Sequence, residues 1–174
     1  MNNTQKLCLS GILIALIIVL SAYCQIPLGA SIRLDLGYAI VVFAALYLGS
    51  YYGGLIAIIA RIINDFIFSG SISFWWAIGS AFFGFAIGLA YKLSQKISNK
   101  YIQTVVLYVS MAIISFVSFA GIVPIIASCI GLDYRFMLGI GVIASVADAI
   151  VAMVVGYPLY CIFYKIQDKE TTHD

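Results

Sequence analysis

"LGYAIVVFAALYLGSYYGGLIAIIARIINDFI", residues 36–67, decides what kind of molecule this is. From Gly37 to Ala60 it carries no charge, and then Arg61 and Asp65 arrive together. A charge at the centre of a membrane helix costs about 2.5–3.5 kcal/mol even on lenient scales. Residues at i and i+4 share a helical face, so the two can pair. The stretch therefore predicts apolar helices, one of them carrying an internal ion pair that faces protein rather than lipid.

The rest of the chain agrees. Its 174 residues are 64% hydrophobic and 9% charged, with a mean hydropathy of +1.11. A soluble domain is about 45–50% apolar and about 25% charged, so the solvent here is lipid. The net charge is +2 and no basic stripe exists, which argues against nucleic acid as a partner. Cys8, Cys24, Cys129 and Cys161 are scattered and His173 stands alone in the tail. No metal site is expected from that spacing, and no cofactor.

Six apolar segments read as helices: about Leu7–Cys24, Tyr38–Leu48, Leu55–Phe68, Phe74–Tyr91, Tyr101–Val123 and Phe136–Tyr164. Pro124 is expected to end the fifth, and "GSYYGG" to separate the second from the third. The first run resembles a signal peptide, yet the chain after it is equally apolar and no small-residue cleavage site follows, so it reads as a permanent helix. The expectation is an all-α membrane protein, a compact bundle of six transmembrane helices forming a single domain over 1–174. A five-helix count with a re-entrant segment is the alternative, because the second and third runs are short. Lys6, Lys92, Lys96, Lys100, Lys165 and Lys169 gather on one side, and only Arg33 and Arg135 lie in loops on the other. The positive-inside rule then places both termini in the cytoplasm of a multi-pass cell-membrane protein.

Few residues could carry chemistry. Arg61, Asp65 and Asp148 are intramembrane charges that can satisfy one another structurally or line a polar pocket. Trp75 and Trp76 begin the fourth helix; successive helical residues point about 100° apart, so both cannot face lipid equally. Gly11 and Ala15 give the first helix a small-residue face; similar faces in the fourth helix (Ser80, Gly84, Gly88) and the sixth (Ala144, Asp148, Ala152, Gly156) suit packing inside the bundle. There is no HExxH, P-loop or GxSxG motif. The Tyr-Asp and Gly-x-Gly-Asp motifs expected of an intramembrane aspartyl protease are absent too. The chain does not read as an enzyme.

One longer pattern is more specific. "IPLGASIRLDLGYAIVVFAALYLGSYYGGLIAIIARIINDFI" gives a loop, a short apolar helix, a Gly-rich turn and a helix with a late Asp; "WW", a Gly-rich helix and a basic loop follow. The chain resembles the substrate-binding S components of energy-coupling factor (ECF) vitamin transporters, of the riboflavin/hydroxymethylpyrimidine/pyridoxine type. The resemblance implies a subunit that binds a water-soluble B-type vitamin or precursor at the outer face. It implies as partners a transmembrane coupling subunit and two ATPase subunits, which supply the ATP hydrolysis. The loop after the first helix would cap the site, placing Arg33 and Asp35 at its rim, with Trp75 and Trp76 at the pocket-side start of the fourth helix. Asn64, beside the Arg61–Asp65 pair, is a further candidate substrate contact. Gly11 and Ala15 would dock the coupling subunit. The chain departs from the pattern in "LGSYYGG", where relatives often carry Pro after the Gly, and at Asp148, where some carry Asn. Two other readings stand beside this one: a self-sufficient proton-coupled carrier, and a membrane adaptor with no ligand.

Overall fold

The computed structural model describes residues 2–27 and 33–171, with side chains described except at 25–27, 33–34 and 167–171. Helix α1 (Asn3–Tyr23) leads into a hairpin of β1 (Gln25–Pro27) and β2 (Arg33–Asp35), and α2 (Gly37–Leu48), α3 (Ser50–Ser69) and α4 (Phe74–Ser94) follow. Then come two long helices, α5 (Lys100–Cys129) and α6 (Tyr134–Ile166 as an apolar span), with α6 continuing to Thr171. All but α2 are long and apolar enough to cross a membrane, which makes five candidate spans among the described residues.

At 12 residues, α2 reaches only about 18 Å, against about 30 Å of hydrocarbon. Every residue from Gly37 to Leu46 is buried, as is Leu48. A helix apolar on all sides is one surrounded by protein or lipid; this one is surrounded by α1, α3, α4 and α6. It forms the bundle's axis. The outer faces of the longer helices carry the exposed Leu, Ile, Val and Phe side chains that a lipid solvent requires.

The "GSYYGG" segment is not the break the sequence suggested. Only Gly49, at φ 97°, is non-helical, and α3 starts at Ser50. Gly53 and Gly54 lie inside α3 because neighbours press on them. A Cβ on Gly53 would stand 2.8 Å from the Cα of Ala45 and 2.9 Å from the carbonyl oxygen of Gly84. One on Gly84 would stand 2.7 Å from the carbonyl carbon of Gly53. Thus α3 and α4 pack backbone to backbone, the approach that small residues permit. Gly156 of α6 serves α2 likewise: its Cβ would fall 2.8 Å from Val42 Cβ.

Pro124 does not end the fifth helix, which runs on to Cys129. A π-helical stretch, Phe116–Ile122, comes just before. It resets the register, so that Pro124 falls in the first turn of a new α-helical segment, where a missing N–H costs little. A second π stretch, Ala152–Gly156, interrupts α6. The segment after α1, read as a loop, pairs as an antiparallel hairpin, with Gln25 opposite Asp35 and Pro27 opposite Arg33. Its β2 lies beside the first part of α6. At the other end of the bundle, the hydroxyls of Tyr91 and Tyr160 meet at 2.7 Å and join α4 to α6.

Candidate functional site

The hairpin end of the bundle holds a cleft between α1 (Ile17, Ser21), Asp35, the start of α2 (Gly37, Tyr38) and the second half of α3 (Ala60, Arg61, Asn64). It encloses about 20 Å³, room for about one water.

Asp35 organises the entrance. The Ser21 hydroxyl lies 2.8 Å from one carboxylate oxygen and 2.9 Å from the other. The amide of Gly37 donates to Oδ1 at 2.7 Å. The carboxylate thus ties the end of the hairpin to α1 and satisfies an orphan amide at the first turn of α2. Gly37 is needed here, because a Cβ would meet Asp35 Oδ1 at 2.9 Å and Ile17 Cγ2 at 3.1 Å. Arg33 is placed only by its backbone, opposite Pro27; its side chain lies outside the described residues, as do residues 28–32.

The opening pair is present. Arg61 Nε lies 3.0 Å from Asp65 Oδ1, with the two side chains 26% and 8% exposed, so neither is a surface charge. The other carboxylate oxygen of Asp65 accepts the amide of Ser73 at 3.1 Å. Asp65 therefore clamps Arg61 on one side and the α3–α4 turn on the other. That turn is allowed by Gly70, which ends α3 in the left-handed region at φ 64°. The Arg61 guanidinium also lies over the Trp76 ring, 5.6 Å from its centroid, a cation–π contact. Trp76 in turn leans on Phe119 at 5.9 Å.

Both tryptophans are half-buried. The lipid-facing aromatic at the start of α4 is Phe74, 59% exposed. Trp75 Nε1 is buried without a hydrogen-bond partner, and so is Oδ1 of Asn64 in the cleft wall. Orphaned buried polar atoms are rare in folded proteins and call for an explanation. Asp148 is buried on α6; no ion pair joins it to Arg61 among the described residues. The structure thus brings Asp35, Arg61 and Asn64 to one cleft, with Asp65 and Trp76 behind Arg61. Gly11 and Ala15 stand apart, exposed on α1, and a Cβ on Gly11 would meet nothing within 4 Å.

Sequence reasoning missed Ser21 and Tyr38. Ser21 continues the inward face of Leu13 and Ile17, so helical spacing could have found it. The Tyr38 hydroxyl bonds to Ser80 at 2.7 Å, and its ring stands edge-on to Phe83 and Phe119. No local signal marks that cluster.

Residues 1–165 match the family of the ECF-type riboflavin transporter, S component. The chain belongs to this family. The resemblance carried by residues 26–67 therefore holds across nearly the whole sequence. This S component is 32% identical over 92 residues to a UPF0397 protein of Aster yellows witches'-broom phytoplasma, covering 53% of this chain and 50% of that one. It is 27% identical over 149 residues to a UPF0397 protein of Streptococcus thermophilus, covering 86% of this chain and 72% of that one. The chain spans about half the length of the phytoplasma relative it matches. Its fold is similar to a crystal structure of the S-component for biotin from an ECF-type ABC transporter, with a TM-score of 0.60 at 19% identity over 94% of this chain and 95% of that one.

Proposed function

We propose that this S component is the substrate-specific membrane subunit of an ATP-driven ECF uptake transporter. It binds a water-soluble B-type vitamin or precursor, of the hydroxymethylpyrimidine, pyridoxine or riboflavin class. The hairpin end faces outward and both termini face the cytoplasm, as the lysine distribution favours. Arg33, Asp35, Asn64, Trp75 and Trp76 are the proposed ligand contacts. The exposed Gly11 and Ala15 form the proposed face for the coupling subunit, which works with two ATPase subunits.

The observation that supports this reading is a cleft at the hairpin end whose wall holds Asn64, its side-chain oxygen buried and without a partner. A ligand would supply that partner. A small-molecule site usually measures about 300–1,000 Å³, so the cleft must widen to admit a vitamin ring. The join that must give is the one between the hairpin, α1 and α2 at Asp35.

The chain's two tryptophans are adjacent, at 75 and 76, so tryptophan emission, excited selectively over tyrosine, reports on this end alone. Titrating the purified protein with a panel of B vitamins and precursors should change that emission saturably for one of them. A folded protein that responds to none is the ligand-free adaptor. The buried Asp148 is the feature that favours the proton-coupled carrier, and accumulation of substrate by the chain alone in liposomes under a proton gradient would establish that reading instead.

A further inference from the structure

The side of the cleft formed by α2 and α3 is braced from behind. Tyr38 lines it, and two helices pin that side chain. On α4, the Ser80 hydroxyl donates to the Trp76 carbonyl at 2.9 Å, which uses its one hydrogen. The 2.7 Å bond between Ser80 and the Tyr38 hydroxyl is therefore donated by Tyr38. Around the ring, Phe83 and Phe119 stand edge-on at 5.5 and 5.4 Å. Arg61 lines the same side. Asp65 holds its Nε, and its guanidinium lies over Trp76, which rests on Phe119. Among the described residues, Phe119 is the one aromatic ring that meets both Tyr38 and Trp76. It is fully buried.

Its helix is shaped to hold it there. Phe119 sits in the middle of the π stretch Phe116–Ile122, and such stretches are rare and often found at functional sites. Glycines on both neighbouring helices press on this backbone. A Cβ on Gly141 of α6 would fall on the Phe119 carbonyl oxygen and 3.0 Å from its carbonyl carbon. One on Gly79 of α4 would stand 3.3 Å from the Ser118 carbonyl oxygen. The Ser115 hydroxyl donates to the Ser145 carbonyl at 2.8 Å and ties α5 to α6 just before the stretch.

A fully buried phenylalanine is ordinarily core packing and nothing more. The opposite side of the cleft gives this one a further role. There α1 and the hairpin meet through Ser21 and Asp35, the join that must open for a ligand larger than water. When one side of a site moves, affinity depends on the other side being ordered beforehand by packing and hydrogen bonds behind it. Resting on the ligand-binding reading above, we propose that Phe119 is a positioning residue for the cleft. It fixes Tyr38 directly and Arg61 through Trp76, so that the α2–α3 side keeps its shape while the hairpin side opens. The π stretch then does more than admit Pro124: it carries the brace.

Phe119→Leu removes the ring and keeps an apolar side chain. The full-length protein in detergent is first titrated calorimetrically with riboflavin, pyridoxine and 4-amino-5-hydroxymethyl-2-methylpyrimidine. Variants are then titrated with the compound bound most tightly, well below every melting point. Phe119→Leu should weaken binding about tenfold, the cost of ordering one or two loosened side chains when the ligand arrives. Leu107→Ala is the control, because Leu107 is buried on the same helix but about 18 Å further along it. That variant should lower the melting point while leaving affinity within about twofold. An unchanged affinity in folded Phe119→Leu overturns the proposal and leaves vitamin binding standing. An equal loss of affinity in Leu107→Ala does the same, since the loss would then follow from any weakened core. Binding of no compound by the unaltered protein overturns both readings. If Phe119→Leu does not fold, Phe119→Met decides in its place, because it keeps most of the volume in a flexible chain. Binding weakened about threefold or more supports the positioning role, and unchanged binding contradicts it.

Discussion

Asp65 holds Arg61 from one side and the amide of Ser73 from the other, so its loss strands a guanidinium in a half-buried site. Breaking a buried pair from one side costs about 3–5 kcal/mol, whereas replacing both partners with apolar residues costs much less. Asp65→Asn should therefore lower the thermal midpoint strongly, and Arg61→Met with Asp65→Leu should recover part of the loss in a melting assay in detergent. Full stability with loss of vitamin binding in Asp65→Asn would make Asp65 a ligand contact instead. Ser21→Ala removes the donor that ties α1 to Asp35 and should cost about 1.5–3 kcal/mol, the range for a hydrogen bond to a charged group. A melting point unchanged by that substitution would show that the hairpin is held by other contacts. The two cases differ in how legible they were. Arg61 and Asp65 announce themselves by an i,i+4 spacing. Ser21 and Asp35 are separated by a hairpin, and only the closed chain brings them together.

Among the elements, the glycines of α3 and α4 show why sequence reading stopped short. Gly53 and Gly54 read as a turn, because glycine punctuates loops more often than helices. In the structure they are contact points, and the signal that separates the two cases sits on other helices, at Ala45 and Gly84. Pro124 is a similar case: the preceding π stretch that accommodates it has no local sequence mark. By contrast, long apolar runs with Gly or charged residues between them made the helical segments themselves easy to read. Gly84→Leu should be harsh, since the side chain would meet the backbone of Gly53, which cannot swing aside as a side chain would. A loss of about 1–3 kcal/mol or more is expected in thermal unfolding, and near-native stability would contradict the backbone contact. Gly11→Leu meets open space on α1 and should leave stability and vitamin affinity unchanged. If the proposed docking face is right, co-purification with the coupling subunit should fall. Intact assembly combined with weakened vitamin binding would reverse the assignment.

For the whole molecule, the composition and the long resemblance located the family, while the candidate cleft needed the fold. The sequence marked Asn64, beside the Arg61–Asp65 pair, as a candidate contact without saying what it faces; the bundle puts its carbonyl oxygen in a cleft wall without a partner. The proposed division of labour is equally a matter of the whole chain. It has a cleft at one end, a short buried axis in α2 and an exposed small-residue face on α1, but no nucleotide-binding motif. Binding and energy supply should therefore separate. The most direct measurement is uptake of the bound vitamin into proteoliposomes containing this chain alone, or the chain with its coupling and ATPase subunits, with and without enclosed ATP on the cytoplasmic side. Accumulation only with all subunits and ATP is the predicted result. Accumulation by the chain alone, driven by an imposed proton gradient, would contradict the account.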